Sequence, residues 1–376
     1  MKRSLKIAFF GSSLVSAYWN GAATYYRGIL KALHERGHQI TFYEPDFFER
    51  QQHRDIPDPE YSGIVVYPVQ NKQEEQDEQG VRQALESARG SDIIIKASGV
   101  GIFDELLEKE VLSLRTDDSL IIFWDVDAPA TLDRVHTDPQ DPFKELIPQY
   151  DMVLTYGGGD PVVNAYMALG AKQCVPVYNA LDPSTHYPVP PEDRFKGSLG
   201  FLGNRMPDRE MRVWEFFFKP AGMLPELNFI LGGSGWREWR PDVSPNIEFF
   251  GHIYTKDHNA FNCSVNAVLN ISRESMARYG FSPATRIFEA AGAGACIITD
   301  WWEGIELFLE PDKEILIADS GEDVVRILKE LDPGKARKIG QAAMKRVLRE
   351  HTYSHRASQL EKLLLEVPVG KKEARR

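Results

Sequence analysis

The sequence predicts an α/β protein made of two similar halves in succession. Three observations carry this. Short apolar runs alternate with helical patterns along the first half, as in a parallel sheet covered by helices. A proline-rich stretch with no helical period, residues 179–197, then interrupts the pattern with Pro183, Pro188, Pro190 and Pro191. Beyond it the alternation restarts. The length of 376 residues also favours two cores, because single cores stop growing at roughly 250–300 residues. The expected domains are 1–182 and 183–350, with 351–376 as a closing segment.

Each element has its own signal. LKIAFF, QITFYE, GIVVYP, DIIIKA, SLIIFW and DMVLTY are the expected strands of the first half. Most are continuous in Val, Ile, Leu and Phe, as strands buried on both faces are. Helices are expected from Thr24 to Arg36, Val81 to Ala88 and Asp104 to Leu112. In the second half SLGFLG, NFILGG, AVLNIS and ACIITD are the strands. The acidic run 73–79 is expected to be solvated, and the ending KKEARR to fray.

Composition excludes several classes. Hydrophobic residues make up 43% and charged residues 26%, which rules out a disordered or fibrous chain. The net charge of 44 − 55 = −11 argues against a nucleic-acid or anionic-lipid surface. No apolar run is long enough for a membrane span. Three cysteines without CxxC spacing give neither a disulfide framework nor a zinc site, and fit a reducing, cytoplasmic setting. The first turn, GSSLVSAYWNG, lacks the second and third glycines of a dinucleotide fingerprint, which argues against a nicotinamide enzyme.

The second half carries an anion-binding pattern. FLGNRMPDRE ends a strand, turns at Gly203 and Asn204, places Arg205 on the turn, and opens a helix near Asp208. Arg209 then lies in the first helical turn, where a cation opposes the helix dipole unless an anion binds. Its competing role is an ion pair with Asp208 or Glu210. LGGSGW is a glycine-rich turn after the next strand. GFSPATRIFEAAGAGACIITD begins a helix with Ser282 as N-cap and Pro283 as first residue. The amides near Ser282, Pro283, Ala284 and Thr285 can hold a phosphate. Arg286 and Glu289 share one helical face. Arg286 can neutralise a diphosphate, and Glu289 can accept ribose hydroxyls. The small residues of AAGAGA require close packing of this helix.

These strings resemble the C-terminal half of GT-B glycosyltransferases, in particular a family-4-like group that includes spore-maturation CgeB-like proteins. GNRMPDRE, GHIYTKDHNAFNCS, ATRIFEAAGAGACIITD and the terminal HTYSHRASQLEKLL carry the likeness, with GAATYYRGILKALHERGHQITFYEP in the first half. The resemblance implies two Rossmann-like domains facing a central cleft, with a last helix crossing back to the first domain. It implies transfer of a hexosyl group from a nucleotide-diphosphate sugar, expected to be a UDP-sugar, without metal or separate cofactor. Glu289 occupies the place of the ribose-holding Glu, His252 and Ile253 would lie by the base, and Arg205 would meet the diphosphate. Phe281 stands where relatives carry a further Glu near the donor sugar, so donor-sugar recognition does not transfer.

The acceptor side is expected in the first half, at the strand ends. SLIIFWDVDAP places Asp125 and Asp127 there, to orient or deprotonate an acceptor hydroxyl. The rival reading is a GT-A-type Asp-x-Asp metal pair. Asn20, Gly21 and Gly158 also lie at strand ends. Tyr18, Trp19, Trp236 and Trp302 are candidates to stack on a sugar ring. His136, His186 and His258 receive no role for want of a paired carboxylate. The acceptor is expected to be a small molecule, glycan or lipid-linked sugar. An epimerase on the same scaffold, or a non-catalytic nucleotide-sugar-binding protein, are the alternatives.

Overall fold

The computed structural model describes residues 4–69, 71–72, 75–76, 78–239 and 243–366. Residues 73, 74 and 77 of the acidic run and all of the KKEARR ending lie outside the described residues. The chain divides into two compact units, Met1–Tyr178 with Tyr353–Arg376, and Asn179–Thr352.

Unit 1 is built on β1 (Lys6–Phe10), β2 (Gln39–Pro45), β3 (Gly63–Tyr67), β4 (Ile93–Ala97), β5 (Leu120–Asp125), β6 (Met152–Thr155) and β7 (Cys174–Pro176). All pair in parallel, in the order β3-β2-β1-β4-β5-β6-β7. Every residue of β4 and β5 is buried, which is why those strands lack alternation. The exceptions to their apolar character are Asp125, which ends β5, and Lys96, fully buried in β4 and paired with Asp104 at 2.5 Å and Glu108 at 3.6 Å. Burial raises the Asp104 carboxyl, but the Lys96 ammonium and the amides of Gly101 and Val100 outweigh it and hold the group below its usual range.

Helix α1 (Ala23–Glu35) covers this sheet. Its Gly28 lies where a Cβ would fall 2.1 Å from the ring of Tyr353, the first residue of the last helix, Tyr353–Glu366. Glu361 of that helix ion-pairs with Arg36, and Arg356 Nε donates to the Tyr178 carbonyl at 3.1 Å. Cys174 is buried, and its thiol is pushed up to about 12 by desolvation.

Unit 2 holds β8 (Gly197–Leu202), β9 (Phe229–Gly232), β10 (Ile247–Gly251), β11 (Val265–Asn270), β12 (Ile297–Asp300) and β13 (Leu316–Ala318). They form a parallel sheet in the order β10-β9-β8-β11-β12-β13. After β8 comes a helical stretch over 207–223 that contains a π-turn, Trp214–Phe218. The π-turn lets three successive phenylalanines, Phe216, Phe217 and Phe218, all enter the core. Helix α2 (Thr285–Gly292) follows β11, a short helix over Glu274–Tyr279 and a loop. Its small residues answer tight contacts. A Cβ on Gly292 would meet Leu181 at 2.3 Å, and one on Gly340 would meet the Gly294 carbonyl at 2.1 Å.

The helix in this segment starts at Thr285 with Ala284 as N-cap, two residues later than the Ser-Pro signal suggests. Ser282 does not cap it. Its hydroxyl donates to the Gly280 carbonyl at 2.8 Å. The reason is local: Gly280 and Phe281 both have positive φ, 69° and 46°, so the chain is still turning at Ser282. No helix among the described residues is long and apolar enough to cross a membrane.

Candidate active site in the second unit

The carboxyl ends of β8, β9, β11 and β12 bring the donor-side candidates together. Strand β8 delivers Gly203, whose N–H donates to the Gly232 carbonyl at 2.9 Å. A Cβ on Gly203 would lie 2.8 Å from Arg286 Nη2 and 3.1 Å from Arg209 Nη2. Two guanidinium groups therefore converge on one glycine, and a side chain there would push them aside. Asn204 locks the turn, its Oδ1 accepting from the Ser234 N–H at 3.0 Å. Trp236 Nε1 donates to the Gly203 carbonyl at 2.7 Å, so this tryptophan is core and not a sugar platform. Trp302 is likewise buried.

The two arginines are held by neutral acceptors. Arg286 Nε donates to the Leu202 carbonyl at 2.8 Å, and Nη1 to Asn270 Oδ1 at 3.0 Å. Arg209 donates to the Asn204 carbonyl. Both stack on Phe201, at 5.1 and 5.5 Å from the ring centroid. Among the described residues no carboxylate forms an ion pair with either. Desolvation, with the neighbouring Arg286, pushes Arg209 down to about 9. Desolvation pushes Arg286 down to about 10 against the opposing pull of Glu289 and Asp300. Two like charges in an enclosed site are unfavourable unless an anion joins them.

Arg209 does not pair with Asp208 or Glu210. Asp208 takes Arg273 at 2.6 Å, and Glu210 takes Arg205 at 2.6 Å. Arg205 also lies 5.8 Å from the centroid of the Trp239 ring. It is thus the one of the three arginines whose charge is already balanced. Ile253 is buried against Gly232, whereas His252 is exposed and its ring meets Tyr254 edge-on at 4.6 Å. Pro283 offers its carbonyl to Asn179 Nδ2 at 2.8 Å.

Sequence reasoning missed three groups here. Asn270 joins Arg286 to Thr299, its Nδ2 donating to Thr299 Oγ1 at 3.0 Å. Asp300 receives Arg212 at 2.5 Å and the Ser272 N–H. Both close an apolar strand, a signal readable in AVLNIS and ACIITD. The third group is the pair His186 and His258, which the fold brings to Glu289. One ligating atom from each of the three lies within 4.8 Å of the others. Burial pushes the His258 imidazole below its usual range, against the pull of Glu289.

The first unit's candidates have a different character. Asp125 is fully buried, and both its oxygens are engaged. Ser98 Oγ, the Asp127 N–H and Thr131 Oγ1 donate to Oδ1 at 2.7, 3.0 and 3.1 Å, and the Tyr166 hydroxyl donates to Oδ2 at 2.5 Å. Burial raises its carboxyl above the usual range, opposed by the Tyr166 and Ser98 hydrogen bonds. This carboxylate ties β5 to its neighbours and has no face left for an acceptor hydroxyl or a metal. Strand β5 ends at Asp125, and Asp127 is the N-cap residue of helix Ala128–Thr137, so the two do not form a chelating pair.

Asn20 is buried and closes its own loop, donating to the Ser13 and Ser16 carbonyls at 2.8 and 3.0 Å and accepting from Ser12 Oγ at 2.9 Å. Gly158 has φ 90°, and a Cβ there would meet Val162 at 2.0 Å, so its glycine is a packing requirement. Gly21 is exposed with open space around it. Tyr18 stacks on His53 at 4.1 Å, and Trp19 is 59% exposed with φ 47°.

Residues 209–362 match the family described as glycosyl transferase-like. A sucrose-phosphate synthase from Thermosynechococcus elongatus superposes with TM-score 0.71 at 13% identity, covering 96% of this chain and 98% of that one. Anabaena HepE, solved with UDP and glucose, gives TM-score 0.66 at 14% identity, over 96% and 99%. An α-glucosyltransferase solved with UDP and a 13-mer DNA carrying an HMU base gives 0.69 at 12%, over 97% and 100%. No curated sequence matches the chain. The architecture is GT-B, two Rossmann-like parallel-sheet units. The fold is therefore that of GT-B proteins, and the glycosyl transferase-like match lies on residues 209–362.

Proposed function

We propose that the chain is a glycosyltransferase that moves a hexosyl group from a UDP-sugar to a small-molecule, glycan or lipid-linked acceptor, and that it belongs to the CgeB-like branch of its fold. The observation that carries the donor reading is the convergence of Arg209 and Arg286 on Gly203 without a carboxylate partner. A diphosphate supplies the missing negative charge and accepts charge-assisted hydrogen bonds. As the glycosidic bond breaks, charge grows on the leaving diphosphate. Preorganised guanidinium groups stabilise that charge more than the bound ground state. Glu289, one turn further along the same helix face, accepts the ribose hydroxyls, and Ile253 packs by the base. HepE, whose structures contain UDP and UDP-glucose, supports the choice of nucleotide.

In this reading arginine does the work that a divalent ion does in other sugar-diphosphate enzymes. Adding Mg²⁺ or Mn²⁺ therefore leaves the rate unchanged. Asp127 is proposed to receive the acceptor proton, since Asp125 is committed to the fold. The test is release of UDP from a panel of nucleotide sugars, with Arg286→Ala as control. Wild-type release that Arg286→Ala abolishes supports the reading. No release and no binding across the panel overturns it. Phe281 favours one second reading. It stands where relatives place a donor-side Glu, and its ring fills the space beside Gly304. UDP-sugar binding by calorimetry without turnover on any acceptor would make the chain a sensor rather than an enzyme.

A further inference from the structure

We propose that His186, His258 and Glu289 form a binding site for one divalent transition-metal ion of the zinc class. The three residues come from separate parts of unit 2. His186 lies in the proline-rich stretch, His258 opens helix His258–Ser264, and Glu289 lies within α2. Their ligating atoms all lie within 4.8 Å of one another. Two imidazoles and one carboxylate are a donor set that suits zinc, leaving a fourth position open.

The ring nitrogens are arranged as in a ligand set. His258 Nε2 lies 3.3 Å from the Ile253 carbonyl. A carbonyl only accepts, so Nε2 carries the proton and Nδ1 presents its lone pair. His186 Nδ1 lies 3.0 Å from Thr185 Oγ1, which leaves Nε2 as its free-facing atom. Metal-bound histidines usually anchor their second nitrogen in this manner. The two opposite atoms, His186 Nε2 and His258 Nδ1, are both buried without a hydrogen-bond partner among the described residues. His186 itself is only 5% exposed. A buried polar atom left unpaired is costly, and two at one place beside a carboxylate call for a shared partner.

Direct hydrogen bonds from the imidazoles to Glu289 are the alternative explanation, and none occurs among the described residues. The gap is wider than a hydrogen bond. Ligands held tetrahedrally at about 2.1 Å from one ion lie about 3.4 Å apart. With the ligating atoms within 4.8 Å of one another, the site draws in by up to about 1.4 Å when it binds the ion. One Glu289 oxygen is enough for the ion. The inference stands on the three side chains alone and does not require the donor reading.

The test uses the full chain, without a histidine tag, stripped with a chelator and dialysed. Zn²⁺ titration by calorimetry should show one site per chain, and Co²⁺ should give the visible absorption of a tetrahedral complex. His258→Ala and His186→Ala should each weaken Zn²⁺ binding by about 10–100-fold or more. The exposed His136→Ala should leave it unchanged. Glu289→Gln preserves shape and should also weaken binding, which covers the case of a histidine variant that fails to fold. Zn²⁺ should raise the Tm of the wild type and not of the variants. Absence of a site in the wild type overturns the proposal, as does Zn²⁺ binding that folded variants retain in full. No nucleotide is present, so failure here leaves the donor reading untouched, and failure of UDP-sugar cleavage leaves this one untouched.

Discussion

The two units place polar groups at the same position, the carboxyl ends of a parallel sheet, and treat them in opposite ways. In unit 1 Lys96 and Asp125 are satisfied within the protein. Lys96 has Asp104 and Glu108, and Asp125 has four donors. In unit 2 Arg209 and Arg286 meet only neutral acceptors, and two histidine nitrogens have none. A sheet end whose charges are balanced is a piece of scaffold. One whose charges are unbalanced is the candidate site. Residue type alone does not make this distinction, since an Asp-x-Asp after a buried strand reads as chemistry until its partners are known.

The sharpest way to break the comparison is to unbalance unit 1. Lys96→Met leaves the Asp104 and Glu108 carboxylates without their shared ammonium, and chemical denaturation should show a loss of about 3–5 kcal/mol. A loss below 1 kcal/mol would mean that the pairing is not structural. Next is Arg286→Ala, which should lower UDP-sugar cleavage by about 10²–10³-fold. Arg205→Ala should cost about tenfold or less, because Glu210 already offsets its charge. Equal losses at the two positions would erase the distinction between a balanced and an unbalanced arginine.

A smaller effect is expected at Asp125. Asp125→Asn turns an amide group toward hydroxyl and N–H donors and should cost about 1–3 kcal/mol of stability, read from the unfolding transition. A variant of normal stability with lost transfer would return Asp125 to the chemistry. The Asp104 carboxyl has its folded value below its unfolded one. Its contribution is complete above the usual Asp range and is lost as pH falls through the lowered value. In acid unfolding, Asp104→Asn should flatten that part of the curve. The smallest effect is ligand stabilisation. UDP at about ten times its Kd should add about 1.4 kcal/mol to unit 2, or roughly 3–6 °C in Tm.

Much of the fold is legible in the sequence because buried parallel strands are short runs of one residue class. Each of the ten expected strands corresponds to an observed one. The helix of residues 23–35 also falls where its pattern indicates. The helix start at Thr285 was not legible. Ser282 and Pro283 carry good capping chemistry, but the left-handed turn at Gly280 and Phe281 delays the helix. In the site, Gly203, Arg209 and Arg286 were legible as types suited to an anion. Their convergence was not, because it joins residues far apart in the chain through the sheet order. The histidines were illegible for the same reason: each lacks a carboxylate nearby in sequence, and Glu289 reaches them only through α2.

The sequence by itself determined two successive β/α halves, a break at the proline-rich stretch and the arginines that follow strand ends. These follow from local rules, since periodicity, turn chemistry and helix-end signals act over a few residues. Tertiary structure decided which charges were spent on the fold and which were left over. It gave Asp125 to Ser98, Thr131 and Tyr166, gave Glu210 to Arg205, and left Arg209 and Arg286 side by side. Pairing of this kind depends on distance in space and on burial, because a charge removed from water must find its partner wherever the fold has put one.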